Sequence, residues 1–187
     1  IGFAKDIIYR NKAKVNDDIY VTGNLGDSYL GLLVLKKKIR LSNLSKAYFI
    51  KQYFLPNIQL KIGEQLKKFA NTSIDLSDGL VADLDKMINK QKLFYKIDLD
   101  RIPISEKLAK VLKRNKLSKI NFVSRGDDYQ ILFSASVNKR RIIQKISSKL
   151  SLKITKIGKI QKNIDKSGVF DINNNKINTK NKGYSHK

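Results

Sequence analysis

Cysteine is absent from the 187 residues, which excludes disulfide scaffolds, Cys-ligated zinc and thiol catalysis. Histidine occurs once, as His186 near the C-terminus. That leaves no material for a His-rich metal site and argues against a buried Ser-His-Asp triad. No apolar run approaches the roughly 20 residues that a bilayer-spanning helix needs. There is no initiating Met and no signal-peptide pattern: the chain begins Ile1-Gly2-Phe3-Ala4, an apolar stretch too short for a signal h-region that reads as a strand end. The expectation is a chain that starts inside a larger protein, in a cytoplasmic setting. Acidic residues are scarce, 16 against 39 Lys+Arg, for a formal net charge of +23.

What is present suffices for a packed core. Hydrophobic residues make up 41% and aromatics 9%, enough for one good-sized domain. The charge raises nucleic-acid binding as a reading. Against it, only seven of the cations are Arg, the residue that forks onto bases and phosphates. The lysines are spread along the chain with short clusters such as Lys36–Lys38, and no zinc finger, KH-type loop or aromatic RNA-binding signature is found. A lysine-coated, solvated surface is the preferred reading, with a basic nucleic-acid module as the alternative. Either way, a positive field favours anionic small molecules such as phosphates.

Periodicity predicts strands over 18–22, 72–76, 94–99, 129–133 and 152–160. It predicts helices over 28–38, 45–55, 58–69, 80–89, 105–115 and 139–150, and a polar hairpin or loop over 171–178. Helices come in pairs between strands. The expected fold is therefore α+β, a mixed sheet covered by helices rather than a doubly wound parallel sheet. The boundary falls near Lys14, where a short lead-in meets a main domain over 15–187.

Three turns concentrate chemistry. In Ser73-Ile74-Asp75-Leu76-Ser77-Asp78-Gly79-Leu80, strand alternation puts Asp75 and Ser77 on one face before the chain turns into a helix. Two carboxylates and a hydroxyl thus gather at a helix N-terminus. Carboxylates there can hold Mg²⁺ shared with substrate phosphates, and Ser77 with the helix N–H groups can bind phosphate oxygens. The rival reading is plain helix capping. Gly126-Asp127-Asp128-Tyr129 is a second acidic turn, suited to a cation or cationic substrate, or simply a solvated bend. Val21-Thr22-Gly23-Asn24-Leu25-Gly26-Asp27 lacks a full phosphate-loop pattern and reads as a structural turn, with Asp27 or Ser28 as helix cap.

Taken in order, Arg10, Ala13-Lys14, Asp17 to Gly23, Ile74 to Leu80, Gly126 to Tyr129 and Gly183-Tyr184-x-His186 are similar to the motifs of the thiamine-monophosphate kinase family, related to aminoimidazole ribonucleotide synthetase. The whole chain resembles the C-terminal part of that enzyme, with residues 1–14 as the last strand and linker of a truncated ATP-binding domain. The resemblance implies ATP- and Mg²⁺-dependent phosphorylation of thiamine monophosphate to the diphosphate, in a homodimer formed through the N-terminal domains. It assigns Arg10 and Ser77 to ATP, Asp75 and Asp78 to Mg²⁺, and Asp127 and Tyr184 to thiamine phosphate. Two departures stand out: Gln130 where the family has Glu, and a tail ending Ser185-His186-Lys187. A synthetase of the same superfamily is the neighbouring alternative. The N-terminal metal and nucleotide motifs are missing, so the chain alone is expected to be inactive.

Overall fold

The computed structural model describes residues 7–88, 91–162, 167–179 and 183. Six strands form one mixed sheet: β1 (Asp18–Thr22), β2 (Ala70–Asp75), β3 (Phe94–Asp98), β4 (Ile131–Ala135), β5 (Ile154–Gln161) and β6 (Gly168–Phe170). Their order is β2-β4-β1-β5-β3-β6. Every neighbouring pair is antiparallel except β3 and β6. The expected mixed sheet with covering helices is thus the architecture found.

Side-chain alternation along β1 divides the core. Ile19 and Val21 enter a cluster with Leu76, Leu80, Leu84 and Met87, the last three from α4 (Leu80–Met87). Tyr20 points the other way and stacks on its cross-strand partner Phe133, ring centroids 5.2 Å apart. That second cluster is closed by α3 (Leu60–Leu66), through Ile62 and Leu66, and by α7 (Arg140–Leu150), through Ile143 and Ile146. A third cluster joins α1 (Asp27–Leu35), α2 (Asn43–Phe54), α5 (Glu106–Arg114) and α6 (Ile120–Val123) around Leu30, Phe49, Leu108 and Phe122. The lead-in over 7–14 has no regular structure but docks on the domain: Ala13 is buried and the Arg10 carbonyl accepts from the Thr72 hydroxyl.

Several sequence expectations shift. Helix 58–69 contracts to α3, and α6 and β6, four and three residues long, are too short to show a period. The strand expected from Tyr129 begins at Ile131, because Asp127 (φ 69°) and Tyr129 (φ 49°) are left-handed and cannot extend a ladder. Neither Asp27 nor Ser28 caps α1. Gly26 occupies the cap position, and the capping carboxylate comes from Asp128, whose oxygens accept from the amides of Gly26 (2.8 Å) and Ser28 (3.4 Å). Asp27 is instead buried and accepts from the hydroxyls of Ser105 (2.7 Å) and Tyr48 (2.9 Å). Residues 1–4, expected as a strand end, lie outside the described residues.

Candidate active site

The two acidic turns, about 50 residues apart in sequence, are pressed backbone to backbone. Leu76 N–H donates to the Gln130 carbonyl, and Tyr129 and Asp127 N–H donate back to the carbonyls of Leu76 and Ser77, at 2.8, 3.0 and 3.1 Å. Beyond the end of the β2–β4 ladder, backbone hydrogen bonds thus tie the two turns to each other. Glycine is required where they touch. A Cβ on Gly126 would stand 1.7 Å from the Ser77 carbonyl oxygen, and one on Gly79 would stand 2.2 Å from that of Ser124. Gly79 also has φ +126°, a conformation L side chains rarely adopt.

A buried carboxylate fixes the shape of the first turn. Asp83, one turn into α4, folds back so that Oδ2 accepts from the amides of Ser77, Asp78 and Gly79, each at 3.0 Å. Its side chain is fully buried, and Oδ1 accepts from Lys86 Nζ at 3.1 Å. The same ammonium forms an ion pair with Asp78 Oδ2. The hydrogen bond to Asp78 holds the Lys86 ammonium above its ordinary pKa. Because Asp83 takes these three N–H groups, they are not available to a phosphate as the sequence suggested. Ser77 offers its hydroxyl.

Together the turns line a cleft of about 560 Å³ with Tyr29, Leu32 and Lys36 of α1. Ser77, Asp78, Arg125, Gly126, Asp127 and Tyr129 form the rest of its wall. Tyr29 is held edge-on by Phe122, centroids 5.7 Å apart, and carries the Arg125 guanidinium 5.3 Å from its ring centroid. Burial, then the negative charge of Asp78, raises the Asp127 carboxyl above its usual range. Two carboxylates that repel across a cleft with cations at its edge suit a ligand bearing both signs of charge.

The candidate residues divide. Ser77, Asp78 and Asp127 share this cleft. Asp75 does not line it: it is exposed at the last position of β2, opposite Ile131. Arg10 is exposed and meets β2 through its backbone at Thr72, five residues before Ser77 or roughly 17 Å along an extended strand. Tyr184 lies outside the described residues. Gly183, just before it, sits against the first turn, where an added Cβ would be 2.8 Å from the Asp78 carbonyl oxygen. Among the described residues, no group of three or more His, Cys, Asp or Glu is gathered to hold a metal unaided. Sequence reading missed Asp83, Lys86 and Tyr29, and it took Asp128 as half of the acidic turn rather than as the cap of α1. Only Asp83 left a signal, an acid four residues after Gly79 in the first turn of a helix.

The mixed sheet, its helices and the strand–turn–helix edge are those of the C-terminal domain of the aminoimidazole ribonucleotide synthetase-like fold. The chain is similar to thiamine-monophosphate kinases over about half of their length. It is 40% identical over 186 residues to the thiamine-monophosphate kinase of Buchnera aphidicola subsp. Acyrthosiphon pisum (strain APS), covering 96% of this chain and 55% of that one. Identity to the Escherichia coli (strain K12) protein of the same name is 32% over 157 residues, 83% of this chain and 48% of the other. The chain spans about half the length of these curated relatives. No family model matches it. The solved thiamine-monophosphate kinase from Stenotrophomonas maltophilia K279a superposes with a TM-score of 0.76 at 28% identity, over 88% of this chain and 52% of that one. The structure of AaThiL complexed with AMPPCP and TMP superposes with a TM-score of 0.77 at 26% identity, over 96% and 54%. Hydrogenase maturation protein HypE of Escherichia coli shares the fold at 15% identity, TM-score 0.68, over 93% of this chain and 52% of that one.

Proposed function

We propose that this chain is the C-terminal portion of an ATP-dependent thiamine-phosphate kinase, which moves the terminal phosphoryl group of ATP onto thiamine monophosphate to give thiamine diphosphate. The observation that carries the reading is the superposition on AaThiL with AMPPCP and TMP across nearly the whole chain. The acceptor is a phosphate oxygen, already ionised at neutral pH, so the transfer requires no histidine or other general base. The difficulty is bringing two polyanions together.

Mg²⁺ is suited to that task because it takes oxygen ligands from one or two carboxylates and completes its shell with substrate phosphates and water. The donor set here fits it. Asp78, Asp127 and Ser77 offer only oxygen to one cleft, and the Lys86 ammonium already stands on Asp78 as an internal cation. Asp78 would hold the ion there, and the chemistry it would supply is neutralisation of charge on the phosphoryl group in transfer. The chain's own residues do the rest. Asp78 anchors the metal side, and the Ser77 hydroxyl hydrogen-bonds a phosphate oxygen of ATP. Asp127 offsets the positive thiazolium ring, and the family resemblance adds Tyr184 as a second thiamine-phosphate contact. Arg10 and Asp75, away from the cleft wall, complete the ATP and metal contacts together with the half of the enzyme that this chain does not span. That half also forms the homodimer, in a cytoplasmic enzyme.

The test is ATP- and Mg²⁺-dependent formation of thiamine diphosphate, measured on a full-length kinase that carries this chain. Asp78→Asn is expected to lower kcat at least tenfold at fixed Mg²⁺, about 1.4 kcal/mol of transition-state stabilisation. The 187-residue chain alone is expected to turn over little. Undiminished activity of Asp78→Asn, or robust turnover by the short chain, refutes this division of roles.

A further inference from the structure

Asp78 does not wait for a metal as a bare carboxylate. Lys86, eight residues on, reaches back along α4 toward the helix N-terminus, the direction helical side chains lean. Its Nζ bridges two acids: the Asp78 carboxylate that faces the cleft, and Asp83 Oδ1 at 3.1 Å. The two acids differ in kind. The Asp83 side chain is fully buried and pinned by three backbone amides, so it is a fixed anchor. The Asp78 side chain is 12% exposed and lies at the cleft wall, and Lys86 is 43% exposed. One ammonium is thus tethered at one end and shared at the other with a group that a dissolved cation can reach.

We propose that Lys86 is a built-in counter-cation that occupies Asp78 until a divalent ion displaces it, raising the metal concentration at which the cleft loads. The inference rests on the proposed metal role of Asp78. A dication at Asp78 meets the ammonium as a like charge within the same few ångströms, where repulsion between partly desolvated charges is strong. The ammonium then withdraws to Asp83 alone, keeping one partner, so displacement costs less than stranding a buried charge. Lys86 so sets a threshold: the cleft stays electrically closed to stray cations, and a metal arriving with anionic phosphates, which also attract the released ammonium, loads more readily than a free ion.

The probe is Mn²⁺ binding to the 187-residue chain, read from the loss of the free-ion electron paramagnetic resonance signal, with folding of each variant checked by thermal melting. Lys86→Gln is expected to bind Mn²⁺ about fivefold more tightly than the parent, the scale of a partly exposed ion pair. Lys86→Arg, which keeps the charge, is expected to bind like the parent. Asp78→Asn is expected to bind more weakly, and the double variant to lose the gain. If Lys86→Gln binds no more tightly while Asp78→Asn still weakens binding, Lys86 is no competitor and the proposal fails, with the metal role of Asp78 intact. If Asp78→Asn leaves Mn²⁺ binding unchanged, the metal role itself fails and takes the proposal with it.

Discussion

Gly126→Ala tests the contact on which the cleft depends. The new Cβ would stand 1.7 Å from the Ser77 carbonyl oxygen, 2.6 Å from its carbon and 3.0 Å from the Asp78 carbonyl carbon. All three atoms are backbone, so no rotamer change relieves the clash. Because Cβ contacts essentially never fall below 3.0 Å, the turns must part by about 1.3 Å. That movement breaks the Asp127-to-Ser77 hydrogen bond and disturbs the turn that Asp83 pins. Overpacking costs typically 1–3 kcal/mol, and a lost buried hydrogen bond adds ~1 kcal/mol, so about 3 kcal/mol is expected. For a domain of this size each kcal/mol lowers Tm by about 2–4 °C, giving a fall of about 6–12 °C. Gly63→Ala is the internal control. It lies exposed within α3 with nothing within 4 Å of an added Cβ, so the better helix propensity of alanine should raise stability by about 0.5–1 kcal/mol. Thermal melts by circular dichroism on the two variants and the parent decide the matter. A Gly126→Ala melt within 2 °C or so of the parent would refute the interlocked-turn account.

Two further outcomes follow from buried acids. Asp83→Ala strands three amides and is expected to cost about 3 kcal/mol in urea unfolding, with Asp83→Asn costing less because one acceptor oxygen remains; an unmoved Asp83→Ala midpoint would contradict the pinning role. Burial pushes the Asp128 carboxyl up to about 8, even though the Gly26 and Ser28 amides pull it down. The unfolded group titrates near 3.9, so between about pH 4 and 8 the folded chain holds a proton that the unfolded chain releases. Stability from this group therefore falls as pH rises through that window. Asp128→Asn should flatten the decline in Tm from pH 5 to 8, and parallel curves for parent and variant would remove Asp128 from the effect.

The amino-acid order by itself determined the mixed sheet and most of its helices, because apolar spacing records which face of an element is buried. Leu80, Leu84 and Met87 were legible as one face of α4 and are buried, as is Ile88 just beyond its end. It also marked Ser77, Asp78 and Asp127, since glycine and aspartate at a strand-to-helix turn are local signals, and their order along the chain carried the family resemblance. What local pattern could not record is which turn meets which. Gly126 looks like any turn glycine until the Ser77 carbonyl is placed 1.7 Å from its missing Cβ. Asp128 was half of a symmetrical-looking acid pair. Only packing sends it inward to cap α1 from about 100 residues away while Asp127 faces the cleft. Asp75 shows the opposite: strand alternation grouped it with Ser77, but the chain leaves the ladder after Asp75 and the two part at the turn. Asp83 and Lys86 read as ordinary charges on a helix. Burial of the one and the backward reach of the other, both properties of the folded surroundings, make them the groups that hold and neutralise the Ser77–Gly79 turn.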